Sequence, residues 1–566
     1  MYSNKENVNI LTALLVAHGV KHAVVCPGSR NAAIVHNLNE CPSIECHPVT
    51  DERSAGFYAL GMTQATGERV VVCVTSGTAL LNLAPAVAEA FYQHRPLIVI
   101  SADRPEAWID QLDGQTLPQD DALGRFVKKA VSLPEPIAPS ADSSSDAKER
   151  YITDCWHCNR LVNEALIIRN APAHINIPIT EPLFSFTVAE LPHERKIDFQ
   201  PADISQTMLS HVTHMFMQSR RPMLISGQPM NALMDEAVIM AGDDERYVPD
   251  FVVYTGGAIV SKRLKRFLRR AKETWAINAE GEVNDTFMNL TNVIQGDGEV
   301  VADYLHFMLE QQPHPFVTLW NELLQRAAQR LQAYEPPFSQ MAVVKMLETS
   351  ISTATDATGS LSYYVHYANS SAIRLANIYA RHAVFCNRGV NGIEGSLSMA
   401  AGFSLVADKP VVCVIGDLSF FYDQNALWNK QLDGRLRILL LNNRRGGIFN
   451  MLPGLEKSPA RDSFVAAAHD TTAEGICQQN DIYYQRADDM ETTAEGLRLL
   501  LSAQFSRPMV LEVTTDASAD EQTYKAWLNP NNLNDQTTTP PKRPNNQTTK
   551  RPKTGTIFAN SFYCKE

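Results

Sequence analysis

The chain of 566 residues has no run of about 18 consecutive apolar residues, the length a helix needs to cross a bilayer. A membrane-inserted helix is therefore not expected. The opening residues, Met1-Tyr2-Ser3-Asn4-Lys5-Glu6, lack the basic-then-apolar order of a secretory signal. Positive charge is also short: 50 Lys and Arg against 62 Asp and Glu leave a net charge of -12, which argues against a general nucleic-acid binder. Basic residues at the far C-terminus, such as Lys542 and Arg543, read as solvated side chains. Cysteine is too sparse, at ten in a chain of this length, for a disulfide framework. Cys73, Cys386 and Cys413 sit inside apolar runs that read as buried strands, so reduced thiols in a cytoplasm are the expectation. The one CxxC, Cys155-Trp156-His157-Cys158, lacks the strand-to-helix setting of a redox pair, and no second CxxC completes a zinc set.

What the sequence does contain is strand-like runs alternating with helical patterns, which predicts α/β architecture with parallel, doubly wound sheets. In the first third the runs are His22 to Cys26, Val70 to Val74, Leu97 to Ile100 and His174 to Ile177. In the last third they are Ala383 to Cys386, Val411 to Ile415, Ile438 to Leu441 and Met509 to Val513. A third α/β region begins at Arg221-Pro222-Met223-Leu224-Ile225 and continues through Phe251 to Tyr254 and Trp275 to Ile277. At this length, two to four domains are expected. Polar and Pro-containing breaks near 190 and 336 suggest domains at 1–190, 191–335 and 336–525. Residues 526–566, rich in Asn, Thr, Pro and Lys, read as a low-complexity, disordered tail.

The chemistry concentrates at Gly416-Asp417-Leu418-Ser419 and Asn442-Asn443. Each group ends an apolar run, so two strand ends deliver a carboxylate and an amide oxygen with one helix between them. Such hard oxygen donors suit Mg²⁺, which takes its remaining ligands from phosphates and water. An Asp after a strand also caps helices, and Asn-Asn also makes turns, so the pair alone leaves both readings open. Gly416 permits close backbone approach, and the Ser419 hydroxyl can donate to a phosphate. Glu52, at the start of a predicted helix, is by itself equally well a first-turn acidic residue favoured by the helix dipole.

The Gly416 to Asn443 spacing resembles the diphosphate–Mg²⁺ motif of thiamine diphosphate (ThDP) enzymes, GDG followed by NN, with Leu418 in place of the last Gly. The ordered series Val25-Cys26-Pro27-Gly28-Ser29-Arg30, Asp51-Glu52-Arg53, Thr75-Ser76-Gly77-Thr78-Ala79 and Ser101-Ala102-Asp103-Arg104-Pro105 narrows the resemblance. It is similar to the 2-succinyl-5-enolpyruvyl-6-hydroxy-3-cyclohexene-1-carboxylate (SEPHCHC) synthase family of menaquinone biosynthesis. Ser261-Lys262-Arg263-Leu264, Asn369-Ser370 with Arg374, and Asn387-Arg388-Gly389 extend it over about residues 5 to 525.

The resemblance implies a pyrimidine-binding domain, a central domain and a diphosphate-binding domain, in that order. It implies ThDP with Mg²⁺ or Mn²⁺ and a homodimer, or dimer of dimers, with the site between chains. Glu52 would be the carboxyl group that activates the aminopyrimidine ring. Asp417, Asn443 and the Arg445 carbonyl would ligate the metal. Gly416, Ser419, Ser370 and Ile448 would complete the cofactor site, Ile448 beneath the bent cofactor. The substrates would be 2-oxoglutarate and isochorismate, whose carboxylates explain the arginines. Arg374 with Ser370 would hold the first; Ser29, Arg30, Arg104, Gln115, Lys262 and Arg388 the second. Two positions depart from the family pattern: Arg445 stands where Gly is usual, and Gly114-Gln115 where Asn-Gln is usual. The competing readings are another ThDP-dependent 2-oxo acid decarboxylase or acetolactate synthase-like carboligase, and a non-catalytic ThDP-binding protein.

Overall fold

Three parallel sheets with helices on their faces make up the chain. The structure is a computed structural model and describes residues 1–199, 203–227, 233–355, 359–452, 454–502 and 504–528. The first sheet contains β1 (His22–Val25), β2 (Glu45–Pro48), β3 (Val70–Val74), β4 (Leu97–Asp103), β5 (Lys129–Ser132) and β6 (Ala173–Pro178), in the order β2-β1-β3-β4-β6-β5. The second contains β7 (Pro222–Ile225), β8 (Phe251–Tyr254), β9 (Glu273–Asn278) and β10 (Leu290–Gln295), in the order β10-β9-β8-β7. The third contains β11 (Tyr364–Tyr367), β12 (Val411–Gly416), β13 (Leu436–Asn442), β14 (Tyr483–Ala487) and β15 (Met509–Thr514), in the order β11-β12-β13-β15-β14. Every residue of β3, β4 and β13 is buried. That double-sided burial is why their sequences are continuous apolar runs rather than alternating ones.

The expected run Ala383 to Cys386 is not a strand. Only the single bridge between His366 and Phe385 joins it to the third sheet. Val384, Phe385 and Cys386 are partly buried against the core, but one backbone pair does not make a ladder. The strand–turn–helix–strand echo does hold: β3 pairs with β4, and β12 pairs with β13, both in parallel. Residues 526–528 form the end of the helix Ala517–Leu528, and the rest of the expected tail lies outside the described residues. The CxxC lies well inside the helix Ser145–Leu166, where burial pushes the Cys155 thiol up to about 11 and Cys158 upward as well. No helix among the described residues is long and apolar enough to cross a membrane.

The first and third sheets are joined by two helices, Glu52–Thr66 and Ser396–Val406, packed face to face. Glycine makes this close crossing possible. A Cβ at Gly61 would lie 2.0 Å from the Met399 carbonyl oxygen, and one at Gly402 would lie 2.2 Å from the Tyr58 oxygen. Tyr58 Oη then donates to the Ala426 carbonyl at 2.6 Å. The N-terminus of the first helix, with Glu52, is thereby carried next to segment 422–426 of the third domain.

Two buried histidines predict how stability responds to pH. Burial lowers His174 to about 4 and His366 to about 3, from an ordinary 6.5. His174 is hydrogen-bonded to Ser101 Oγ at 2.7 Å, and His366 stacks on Phe385. Both are neutral in the folded state, so below pH 6.5 the unfolded chain takes up their protons first. Their contribution is complete above that pH and falls by about 1.4 kcal/mol per unit for each group as pH drops towards its folded value. The unfolding temperature should therefore decline below pH 6.5, and His366→Phe should make that decline shallower. An unchanged slope would contradict the assignment.

Candidate active site

The carboxyl ends of β12 and β13 form the centre of the site, as expected for ligands in open α/β sheets. The register pairs Gly416 with Leu441, so Asp417 and Asn443 leave the same sheet edge side by side. Asp417 is buried and begins the short helix Asp417–Tyr422. Its Oδ1 accepts the Leu418 N–H at 2.7 Å, and its Oδ2 accepts the Arg445 N–H at 3.1 Å. The two asparagines have different jobs. Asn442 is fully committed: its amide donates to Glu512 (2.6 Å) and the Thr471 carbonyl (3.0 Å), and its Oδ1 accepts from Arg444 N. Asn443 donates only to Asp520 Oδ2 at 2.9 Å, which leaves its Oδ1 unbonded among the described residues.

Arg445 brings its backbone to the Asp417 carboxylate without strain. The positive φ of this loop, 65°, falls on Arg444 and not on Arg445. The Arg445 side chain turns away to pair with Asp462 at 3.0 Å. Gly416 offers open space: a Cβ built there meets nothing within 4 Å. Ser419 is buried in the first turn of the same helix, and Ile448 is half-buried in the 3-10 turn Gly447–Met451. An acidic oxygen, an unbonded amide oxygen and open backbone at one strand end fit a divalent cation carrying a diphosphate.

A cleft adjoins this centre, lined by Asn443, Gly447, Arg374, Asp520 and Tyr524 among others. Ser371, the first residue of the helix Ser371–Tyr379, also lines it, and Ser370 just before that helix has φ 71° and ψ -126°. A non-glycine residue in that conformation is strained, and such strain concentrates at ligand sites. Arg388 is nearby. Burial is the main cause of its lowered pKa, and the positive charge of Arg374 adds to it. Its Nη1 donates to Asn369 Oδ1 at 3.1 Å, while its buried Nε has no partner among the described residues. Lys262 opens the helix Lys262–Leu268, and its charge acts with that of Arg388 on Lys265. An under-bonded guanidinium among cations is a setting for a carboxylate.

The remaining predicted residues gather on the first domain. Arg30 is buried, donates to the Ile179 carbonyl at 2.9 Å and feels the charge of Arg104. Arg104 pairs with Asp113 at 2.9 Å and donates to the Gly114 carbonyl. Ser29 is exposed next to Gly28, whose missing side chain lets the loop touch Thr75; Gly77 in turn abuts the Gln115 backbone. Gln115 is exposed with φ 57°. Glu52 is half-buried, and its Oε2 accepts from Asn82 at 3.3 Å. Its neighbour Asp51 caps the helix and accepts from Asn425 at 2.7 Å. Within one chain, no hydrogen bond or ion pair among the described residues joins Glu52 to Asp417, Asn443 or Arg445. None joins the Arg30–Arg104 group to the Arg374–Arg388 group.

Several site residues carried no signal in the sequence. His469 stands 3.5 Å from Asp417 Oδ2 through Nε2, while its Nδ1 accepts from Thr471 N. Asp520 anchors both Asn443 and Thr515. Glu89 fixes the loop after Arg388 by accepting the N–H groups of Gly389 and Val390 at 2.7 and 2.6 Å. Each is a lone polar residue whose partner lies far off in the chain, and no spacing reveals it.

Fold and strand-end site together are those of a ThDP enzyme. Residues 6–123 match the family described as "Thiamine pyrophosphate enzyme, N-terminal TPP binding domain". A solved chain from Mycobacterium smegmatis, described as a candidate thiamin diphosphate-dependent enzyme, superposes with a TM-score of 0.65. It covers 91% of this chain and 100% of its own at 15% identity, which speaks to the fold alone. Curated relatives are more specific. SEPHCHC synthase of Bacteroides fragilis is 40% identical over 93% of this chain and 99% of its own length. The synthase of Bacteroides thetaiotaomicron is 39% identical with the same coverage, and that of Porphyromonas gingivalis 31% over 93% and 97%. The chain belongs to the SEPHCHC synthase family.

Proposed function

We propose that this protein makes SEPHCHC in menaquinone biosynthesis, by decarboxylating 2-oxoglutarate and adding the resulting four-carbon unit to isochorismate. The observation that carries the reading is Arg374, which lines the cleft with Asn443, together with the under-bonded Arg388 that feels its charge. Carbanion chemistry is supplied by ThDP when bound, at its thiazolium ring. Asp417 and Asn443 supply side-chain oxygens, and Arg445 its carbonyl, to a Mg²⁺ or Mn²⁺ ion. Gly416 leaves room for the diphosphate, Ser419 donates to it, and Ile448 supports the ring system. Glu52 would hold a proton for the aminopyrimidine ring of the bound cofactor. Arg374 and Ser370 hold the distal carboxylate of the keto acid. Arg388 and Lys262, with Ser29, Arg30, Arg104 and Gln115, hold isochorismate. Small apolar keto acids need no such set of cations.

This reading takes the domains as 1–190, 191–335 and 336–525, and the working unit as a homodimer in the cytoplasm. Support for the dimer lies around Glu52. Leu81, Tyr422 and Trp428 are 42%, 51% and 62% exposed there, a set of large apolar side chains suited to cover by a second copy. A second chain would also supply the diphosphate end of the site to Glu52.

Substrate choice tests the function. CO₂ release should require 2-oxoglutarate, and pyruvate should not replace it; efficient pyruvate turnover without isochorismate would reject the reading. The arginines divide the reaction further. Arg374→Ala should slow decarboxylation of 2-oxoglutarate, and Arg388→Ala should mainly impair capture by isochorismate. Each loss should be about 10–150-fold, the worth of a buried charge-assisted hydrogen bond. Intact decarboxylation kinetics in Arg374→Ala would show the roles to be wrong or exchanged.

A further inference from the structure

A second constellation lies at the opposite end of the first sheet, away from the strand ends that form the active site. His22 opens β1, and Glu45 and His47 lie on β2, the edge strand. The parallel register places His22 opposite Glu45 and Val24 opposite His47. Residues two apart on a strand share a face, so all three side chains leave the same side of the sheet. His22 Nδ1 lies 3.3 Å from His47 Nε2 and 3.6 Å from Glu45 Oε2. The two rings are tilted by 42° with centroids 5.4 Å apart, so they converge through their nitrogens rather than stack.

Those spacings are the edges of a metal tetrahedron. Zinc bonds nitrogen at about 2.0–2.1 Å in tetrahedral sites, which sets two nitrogen ligands about 3.3 Å apart. His47 is buried, and the side chain of Gln431, from the third domain, lies near its ring. The nearest cation, Lys21, is engaged by Glu68 at 2.8 Å. Glu45 is exposed, which leaves the fourth position open to water.

We propose that His22, Glu45 and His47 form a site for a Zn²⁺-class divalent cation, separate from the cofactor site. The ion would tie the edge strand β2 to β1. The alternative is a plain imidazole–imidazole hydrogen bond. Cobalt(II) distinguishes the two, because tetrahedral coordination gives it a visible absorption band. Metal-free full-length protein, without ThDP, should develop that band with one equivalent of Co²⁺, and Zn²⁺ should abolish it. Asp417→Ala should bind Co²⁺ as wild type does. His47→Gln should lose the band, and Glu45→Gln, at an exposed position that leaves folding intact, should weaken binding by at least about tenfold, as loss of a metal contact does. No band in wild type, or an undiminished band in Glu45→Gln, would overturn the proposal.

Discussion

Glu52→Gln should leave ThDP bound and cut turnover by at least about 10²-fold, the usual scale for a positioned acid–base group. Gln keeps the size and the hydrogen bond from Asn82 but cannot lose or share a proton. In the structure Glu52 begins a helix capped by Asp51 and held by glycine-mediated contact with the helix Ser396–Val406. Its backbone is therefore anchored, and the substitution should not move it. The reading is checked by measuring ThDP affinity and turnover on the same preparation. Near-wild-type turnover would remove Glu52 from the chemistry, whereas lost ThDP affinity would make its role binding instead.

Asp417→Ala should abolish Mg²⁺-dependent ThDP binding. The carboxylate is buried at the strand end and organises the loop by accepting the Leu418 and Arg445 N–H groups. Without it, the metal loses its only acidic protein ligand in the proposed set, and the diphosphate charge is left without its counter-ion. Titration of ThDP with and without chelator measures this directly; unchanged affinity in both conditions would reject the metal assignment. The two variants together also report on the dimer. If Glu52 and Asp417 meet across chains, mixing the inactive variants should restore about a quarter of wild-type activity, since half of randomly paired two-fold dimers carry one intact site. No recovery after verified subunit exchange would place the site within one chain.

Much of this arrangement was legible before the fold was known, and the reason is physical. Strands buried on both faces must be apolar along their whole length, so β3, β4, β12 and β13 were readable as runs. Three strands at the margins were not. Glu45–Pro48, Tyr483–Ala487 and Leu290–Gln295 mix polar and apolar residues because one side meets solvent. The apolar stretch Ala383 to Cys386 misled for the opposite reason: it is drawn towards the core without forming a ladder. At the candidate site, Asp417 and Asn443 could be singled out because two strand ends present them at a motif's spacing. His469, Asp520 and Glu89 could not, since each acts through a partner brought close only by folding. The contrast between Asn442 and Asn443 was equally hidden. Both asparagines look alike in sequence, yet one is consumed by Glu512 and Thr471 while the other keeps its Oδ1 unbonded among the described residues.

The most direct test is a single incubation of the purified protein with ThDP, Mg²⁺, 2-oxoglutarate and isochorismate, followed by mass spectrometry and CO₂ measurement. The account predicts CO₂ release matched mole for mole by an adduct with the mass of SEPHCHC, and neither when ThDP is omitted. CO₂ release that forms no adduct with isochorismate, or no reaction of 2-oxoglutarate at all, would contradict it.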